Sequence, residues 1–366
     1  MKKLLVLGTG NAQSDLIEYG KGRYEVHACS YRPGDTAEKL ADVFVPIDIT
    51  DAEAVSAYAR AQGINLVYSV GSDLAMPTVG LVSAHLGLPG FVSAWTASTC
   101  QSKDALRRLL EGKPYNLGHR TLRSLSDAEG LAYPCMVKPV DSQGQRGVRK
   151  VENAAELAEH LPLALTHSRQ KTLVAEDYVD GPEFSANVYS VDGEIVFSLI
   201  SARVVWEDLP GGIIREHRIP HGISGQETLA EIKAMIKDTL EVLALENGPS
   251  YFQFKLTRAH HPKLIEVTPR LDGCHLWRLI EMSTGVNLLD WTMRHLSGDT
   301  SFVGETTVDP KDGRLQFYCQ PPGTSFDSAL HRGETAFRKH YYQDGETVRS
   351  LNGHMEKCGY GIWMGP

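Results

Sequence analysis

Six charged residues follow one another through the middle of this 366-residue chain, each inside a distinctive phrase. Lys103 lies in SKDALRRLL, Lys138 in YPCMVKPVDSQGQRGV, Glu176 and Glu183 in TLVAEDYVDGPEF, and Glu266 and Arg270 in KLIEVTPR. The order is cations, a glycine-bearing loop, a strand that ends in acids, then a carboxylate and an arginine. Those are the parts needed to hold a nucleoside triphosphate. Its polyanion needs fixed positive charge, backbone donors at close approach, a slot for the base and oxygen ligands for magnesium. No single phrase carries the reading; order and spacing do.

Taken one by one, each residue also has a plainer reading. Lys138 sits in the apolar run CMVKP, and a strand alternates faces, so it points into a cleft or out to water. The loop from Asp141 to Gly147 tips the balance, because Gly144 and Gly147 let backbone fold over phosphates and Arg146 adds charge. It is not a Walker A loop, since GxxxxGK[ST] is absent from the chain. Lys103, on a helical pattern, reads equally as surface charge. Glu176 ends an apolar strand, leaving the backbone near Tyr178 and Val179 free to read a base edge. Glu183, seven residues on, suits ribose hydroxyls. The same stretch also reads as a hairpin corner with surface acids.

Gln253 and Glu266 fall on two runs that pattern as hairpin partners, which brings two oxygen donors for magnesium face to face. Arg270 is placed to neutralise a phosphoryl group in transfer. Arg203, Arg215, His217, Arg218 and His275 are candidates for substrate contact, and each reads equally as a surface residue.

Positioning these residues requires a set of elements. Up to about residue 95, KKLLVLG, YEVHACS, DVFVPID, NLVYSVG and GLPGFVS read as strands. They alternate with helical patterns such as DAEAVSAYARAQ and MPTVGLVSAHLG, which predicts a doubly wound parallel sheet. Gly8-Thr9-Gly10 follows the first strand. Position 13 is Gln and Cys29-Ser30-Tyr31-Arg32 offers no acid for a ribose, so the dinucleotide fingerprint is incomplete. A tight turn is the simpler reading, and a nicotinamide-dependent oxidoreductase is the weakest functional alternative. From 96 to about 120 the chain reads as helix, with Ser98 and Thr99 as capping residues before QSKDALRRLLEG.

Further along, the sequence predicts a strand-turn-strand at YPCMVKPVDSQGQRGVRKV, a helix at AAELAEHLPLALTHS and a strand at TLVAEDYV. A hairpin turning at Asp192-Gly193 follows, then a helix at ETLAEIKAMIKDTLEVLAL and a second hairpin, SYFQFKLTRA with PKLIEVTPR. WRLIEMSTGVNLLDWTMRHL reads as helix broken near Gly285. Beyond 301, RLQFYCQ and GETVRSL read as short strands in a small β-rich element.

The bulk numbers exclude several classes. A net charge of -8 leaves no basic footprint for nucleic acid, and no apolar run is long enough to span a bilayer. The N-terminal apolar stretch is too short for a signal peptide and runs into glycine. Six scattered cysteines without a CxxC pair suggest reduced thiols in a cytoplasmic protein and give no zinc spacing.

Together the quoted phrases resemble the ATP-grasp superfamily. In particular the chain is similar to the large chain of carbamoyl phosphate synthetase and its stand-alone carboxylate–amine ligase relatives, over residues 1 to about 300. The resemblance implies an α/β and α+β architecture. It comprises an N-terminal Rossmann-like pre-ATP-grasp domain (1–95), an ATP-grasp domain (96–300, subdomains about 96–175 and 176–300) and a C-terminal β-rich element (301–366). By resemblance Lys103 and Lys138 contact phosphates and the adenine side, and the loop at Gly144 to Gly147 closes over phosphates. Glu176, Tyr178 and Val179 form the adenine hinge and Glu183 holds ribose. Gln253 and Glu266 ligate magnesium, with manganese as a substitute, and Arg270 stabilises an acyl phosphate.

The implied activity is ATP- and magnesium-dependent joining of a small-molecule carboxylate to an amine, in a homodimer, with release of ADP and phosphate. An ATP-binding sensor or scaffold that does not ligate is the alternative. One departure leaves room for it: the family phrase EXNPR here reads Glu266-Val267-Thr268-Pro269-Arg270, with Thr for Asn.

Overall fold

A computed structural model describes residues 1–366 except Arg32, Thr36, Gln143, Pro210, Gly211, 305–308, Asn352 and Pro366. Arg32 and Gln143, both part of the sequence reading, therefore lie outside the described residues. Three sheets organise the described residues.

The first is parallel, in the order β3 (Val43–Val45), β2 (Glu25–Cys29), β1 (Lys3–Leu7) and β4 (Leu66–Tyr68). Leu4 to Leu7 are completely buried, as expected of a parallel strand covered on both faces. Helices α1 (Asn11–Gly20), α2 (Ala52–Gln62) and α3 (Met76–Leu86) connect these strands and flank them. The fifth strand expected at GLPGFVS does not form. Gly87 caps α3 in the left-handed region, and Phe91 packs its ring on Tyr68, His295 and the backbone of Gly248. The segment is a packed link.

The predicted helix over 96–120 is two short helices, α4 (Ala94–Gln101) and α5 (Lys103–Leu109), meeting at Ser102. The cap is Ser93, whose side chain accepts from the Thr96 N–H; Ser98 and Thr99 lie inside α4. The second sheet follows, antiparallel, in the order β5 (His119–Leu122), β8 (Leu173–Asp177), β6 (Cys135–Pro139) and β7 (Arg149–Val151). Helix α6 (Ala154–Thr166) lays Leu157, Leu161 and Ala164 on Leu122, Val137 and Leu173, so this unit has its own small core.

The third sheet has eight strands. Its order is β13 (Pro262–Thr268), β12 (Gly248–Leu256), β9 (Glu183–Val191), β10 (Glu194–Val205), β11 (Ile214–Ile219), β14 (Gly313–Gln320), β16 (Glu356–Met364) and β15 (Phe337–His340). The hairpin of β9 and β10 turns at Asp192 and Gly193 with φ of 50° and 83°, as a two-residue turn with both central residues left-handed requires. Helices α7 (Gln226–Val242), α8 (Leu276–Thr284) and α9 (Leu288–Leu296) accompany the sheet, and Gly285 ends α8 as its sequence suggested. Strand β11 went unread because IREHRI carries four charged or imidazole side chains. The strand expected at GETVRSL is absent; an isolated bridge between Ser325 and Thr347 stands in its place.

Residues from 313 on are hydrogen-bonded into the large sheet through the pairing of β11 with β14. One large apolar core runs from the parallel sheet through the eight-stranded sheet. Among the described residues no helix is long and apolar enough to cross a membrane.

Candidate active site

A cleft of about 1360 Å³ lies where the three sheets converge. The second sheet supplies Lys138 and Glu176, and the eight-stranded sheet supplies Arg203, Gln253 and Glu266.

At one end Glu176 anchors two cations. Met136 pairs with Glu176 across β6 and β8, so Lys138, two residues along the same face, reaches the same carboxylate. Lys138 Nζ donates to Glu176 Oε2 at 2.5 Å, and Arg107 Nε donates to Oε1 at 2.7 Å. Glu176 is 1% exposed. Burial raises its pKa, but the charges of Arg107 and Lys138 overcome that and hold it at about 2. The carboxylate is thereby spent on fixing Lys138. Arg107 also donates to the Ile265 carbonyl at 2.7 Å, which ties α5 to β13 one residue before Glu266.

Lys103 donates from Nζ to the Ser142 carbonyl at 2.9 Å, which places an ammonium against the loop that contains Gly144. Burial lowers its pKa against the opposing pull of Glu266. Gly144 lines the cleft with Gln145 and Arg146; Gly147 does not, because it turns back on Pro139 and His167. Tyr178 and Val179 line the cleft at the end of β8. The Tyr178 ring lies beneath Lys150 and Lys255, at 4.1 and 5.3 Å from its centroid.

Toward the centre, Gln253 pairs directly with Glu266 across β12 and β13. Gln253 donates from Nε2 to Glu183, and its amide oxygen has no hydrogen-bond partner among the described residues. Glu183 accepts from Arg203 Nη1 at 2.5 Å on the same oxygen. Among the described residues the Glu266 carboxylate has no hydrogen-bond partner, although it sits near Lys103, Arg203 and Arg270. Thr268, which stands where the EXNPR phrase has Asn, is fully buried with an unpartnered hydroxyl among the described residues and does not line the cleft. The metal-capable oxygens there are thus one carboxylate and one amide. That set fits magnesium, which keeps its waters and binds through one or two protein oxygens plus substrate phosphates. No group of three or more acidic, His or Cys ligands occurs among the described residues, so an all-protein metal cage does not fit.

Arg270 forks onto Asp73 through Nε and Nη2 at 2.8 and 2.7 Å. Burial disfavours its charge, yet Asp73 and Glu266 outweigh burial and raise its pKa. Asp73 is held in place by Gly71. The N–H of Gly71 donates to the Leu271 carbonyl at 3.1 Å, and a Cβ there would lie 2.7 Å from the Gly273 Cα.

The remaining substrate candidates divide. Arg203 lines the cleft; Arg215, His217 and His275 do not. Arg215 lies over the Trp206 ring instead. His217 pairs with Arg203 across β10 and β11 and shares its face, but it is fully buried, with its pKa lowered by burial and by the charges of Arg203 and Lys357. His275 is buried between Asp15 and Tyr341, which bond its two ring nitrogens. Arg218 pairs with Glu216.

Several cleft residues escaped the sequence reading. Arg107 stands four residues after Lys103, on the same helical face, so its pattern was visible. Asp73 follows the last parallel strand, where ligands approach such sheets. Tyr341, Glu356 and Lys357 reach the cleft from the last strands, and nothing local in their sequence indicates it.

Residues 131–276 match the sequence family described as ATP-grasp domain. The uncharacterized protein y4rH of Sinorhizobium fredii is 25% identical over 309 residues, covering 79% of this chain and 62% of that protein. Human carnosine synthase 1 is 25% identical over 324 residues, covering 79% of this chain and 39% of its own length. The chain therefore spans less than two thirds of either relative. The crystal structure of L-amino acid ligase from Bacillus licheniformis superposes with a TM-score of 0.82 at 20% identity, covering 100% of this chain and 93% of the other. That last likeness is one of fold.

Proposed function

We propose that this chain, which carries an ATP-grasp domain, joins a carboxylate to an amine at the expense of ATP, through an acyl phosphate, releasing ADP and phosphate. The open carboxylate of Glu266, opposite the Gln253 amide and ringed by cations, is the observation that carries the reading. Magnesium bound there would neutralise phosphate charge and align the terminal phosphoryl group. Glu266 and Gln253 would hold it.

The chain's own groups do the rest by position and charge, as phosphoryl transfer demands. Lys138, fixed by Glu176, and Lys103, fixed against the phosphate loop, hold the polyphosphate. Tyr178 and Val179 present backbone to adenine. Glu183 has one carboxylate oxygen without a hydrogen-bond partner among the described residues, and that oxygen is available to a ribose hydroxyl. Arg270, braced by Asp73, faces the negative charge that develops as phosphate moves to the substrate carboxylate and as the amine attacks. No protein nucleophile is required. The name of L-amino acid ligase makes L-amino acids the first carboxylates and amines to try.

An acyl phosphate leaves an isotopic record. A substrate carboxylate labelled with ¹⁸O should transfer one label to the phosphate released. Unlabelled phosphate accompanied by amide product would refute the acyl phosphate route.

A further inference from the structure

Asp15, His275 and Tyr341 come from three distant parts of the chain and meet in a buried row. Asp15 Oδ2 bonds His275 Nδ1 at 2.6 Å, and His275 Nε2 bonds the Tyr341 hydroxyl at 2.6 Å. Asp15 and His275 are 3% and 2% exposed, and only Tyr341 of the three lines the cleft. We propose that the three form a proton relay, with Tyr341 as the cleft hydroxyl that takes the proton from the attacking amine. This rests on the ligase reading.

The chemistry calls for such a device. An amino-acid amine is mostly an ammonium at neutral pH and cannot attack until it loses a proton. Among the described residues no histidine lines the cleft, so imidazole reaches it only through another group. Three buried or half-buried carboxylates of the cleft are otherwise engaged. Asp73 holds Arg270, Asp272 accepts from the Cys274 and Leu276 N–H groups, and Glu356 accepts from Leu351 and Gly353. Glu266 would be taken up by magnesium.

The row has the order carboxylate, imidazole, hydroxyl, in which the carboxylate fixes the tautomer and stabilises the imidazolium that forms. Asp15 is kept ionised. Burial raises its pKa, but His275, Lys339 at 3.1 Å and the Trp277 N–H at 2.8 Å outweigh burial and lower it. With Nδ1–H donating to Asp15, His275 Nε2 is an acceptor for the Tyr341 hydroxyl. The His275 ring is locked, stacked on Tyr360 at 4.3 Å and 13°. Its backbone is held at φ 59°, a left-handed conformation that costs a non-glycine residue energy. The Tyr341 N–H donates to the Cys358 carbonyl at 2.8 Å, which fixes the tyrosine to β16.

In the step, the amine nitrogen bonds the acyl carbon and the carbon–oxygen bond to phosphate breaks, the electron pair leaving with phosphate. The ammonium first gives one proton to Tyr341 Oη while the hydroxyl proton passes to His275 Nε2, and after attack the surplus N–H proton leaves by the same route. The imidazolium then returns its proton to water through Tyr341. Tyr341 is the catalytic group; His275 and Asp15 position and charge it. The other titratable groups around the row are Asp272, Cys274, Cys319, Tyr360, Arg278, Lys339 and Glu18.

Hydroxylamine separates the relay from the ligase reading, because it is neutral at pH 7 and captures acyl phosphates without a base. With Mg·ATP and the twenty L-amino acids as carboxylate donors, hydroxamate formation and amine-dependent ADP release are measured side by side. In Tyr341→Phe the ratio of amine-dependent to hydroxylamine-dependent turnover should fall by about a hundredfold. His275→Asn, which tolerates the left-handed backbone, should lower the same ratio. An unchanged ratio in both variants overturns the relay and leaves a buried staple. Absence of hydroxamate from the unaltered protein refutes the ligase reading, and the relay with it. If the variants do not fold, the unaltered protein decides through its pH profiles. The relay requires an acid limb in kcat with amines that is missing with hydroxylamine; identical limbs contradict it.

Discussion

Glu176 shows how much of this site is made by residues that need never touch substrate. Its buried carboxylate accepts from both Arg107 and Lys138, and removing Arg107 leaves Oε1 and the Ile265 carbonyl without their donors in the interior. Arg107→Met should therefore lower unfolding free energy by about 3 kcal/mol, read from urea denaturation. The same pair sets an acid dependence. Glu176 has a folded pKa below its ordinary value, so its contribution is complete above that ordinary value and is lost as pH falls through about 2. Asp73 does for Arg270 what Glu176 does for Lys138. Asp73→Asn keeps the shape and removes the charge, so kcat should drop about tenfold with little change in the KM for ATP. An equal rise in that KM would place Asp73 in nucleotide binding instead.

Elements carry these residues to one place, and the joints between elements are tight. At Gly71 the end of the parallel sheet meets the loop after β13, with φ of 68° and no room for a Cβ against Gly273. Gly71→Ala should cost about 2 kcal/mol in urea unfolding and depress kcat, because the clash separates Asp73 from Arg270. Much of this layer was legible in the sequence. The β12–β13 hairpin forms as its alternation suggested and places Gln253 opposite Glu266. The β9–β10 turn follows from Asp192-Gly193.

What was not legible is what depends on distant partners. β5 and β11 are strands because β8 and β10 supply hydrogen-bonding edges, despite polar sequences. GLPGFVS has strand-like residues but is held by glycine turns and the packing of Phe91. His217 and His275 looked like cleft residues from their neighbours in sequence. Their burial is set by strand register and by Asp15, 260 positions away.

At the scale of the molecule, six histidines have pKa values lowered by burial: His160, His217, His221, His295, His331 and His340. Each is neutral in the fold at pH values where the unfolded chain would protonate it. The unfolded state therefore binds more protons below the ordinary histidine pKa, and stability falls as pH drops through that region. The urea midpoint should decline between pH 7.5 and 5.5 with a slope steeper than one proton. His217→Gln should flatten it most, since its pKa is lowered furthest. A flat midpoint would mean that these rings are solvated.

The proposed reaction releases phosphate from ATP only when both a carboxylate and an amine are present. The direct test is phosphate release from Mg·ATP, screened against the twenty L-amino acids singly and in pairs, with Glu266→Ala alongside. The account predicts release that needs both partners and disappears in the variant. Release indifferent to the amino acids, or undiminished by loss of Glu266, would contradict it.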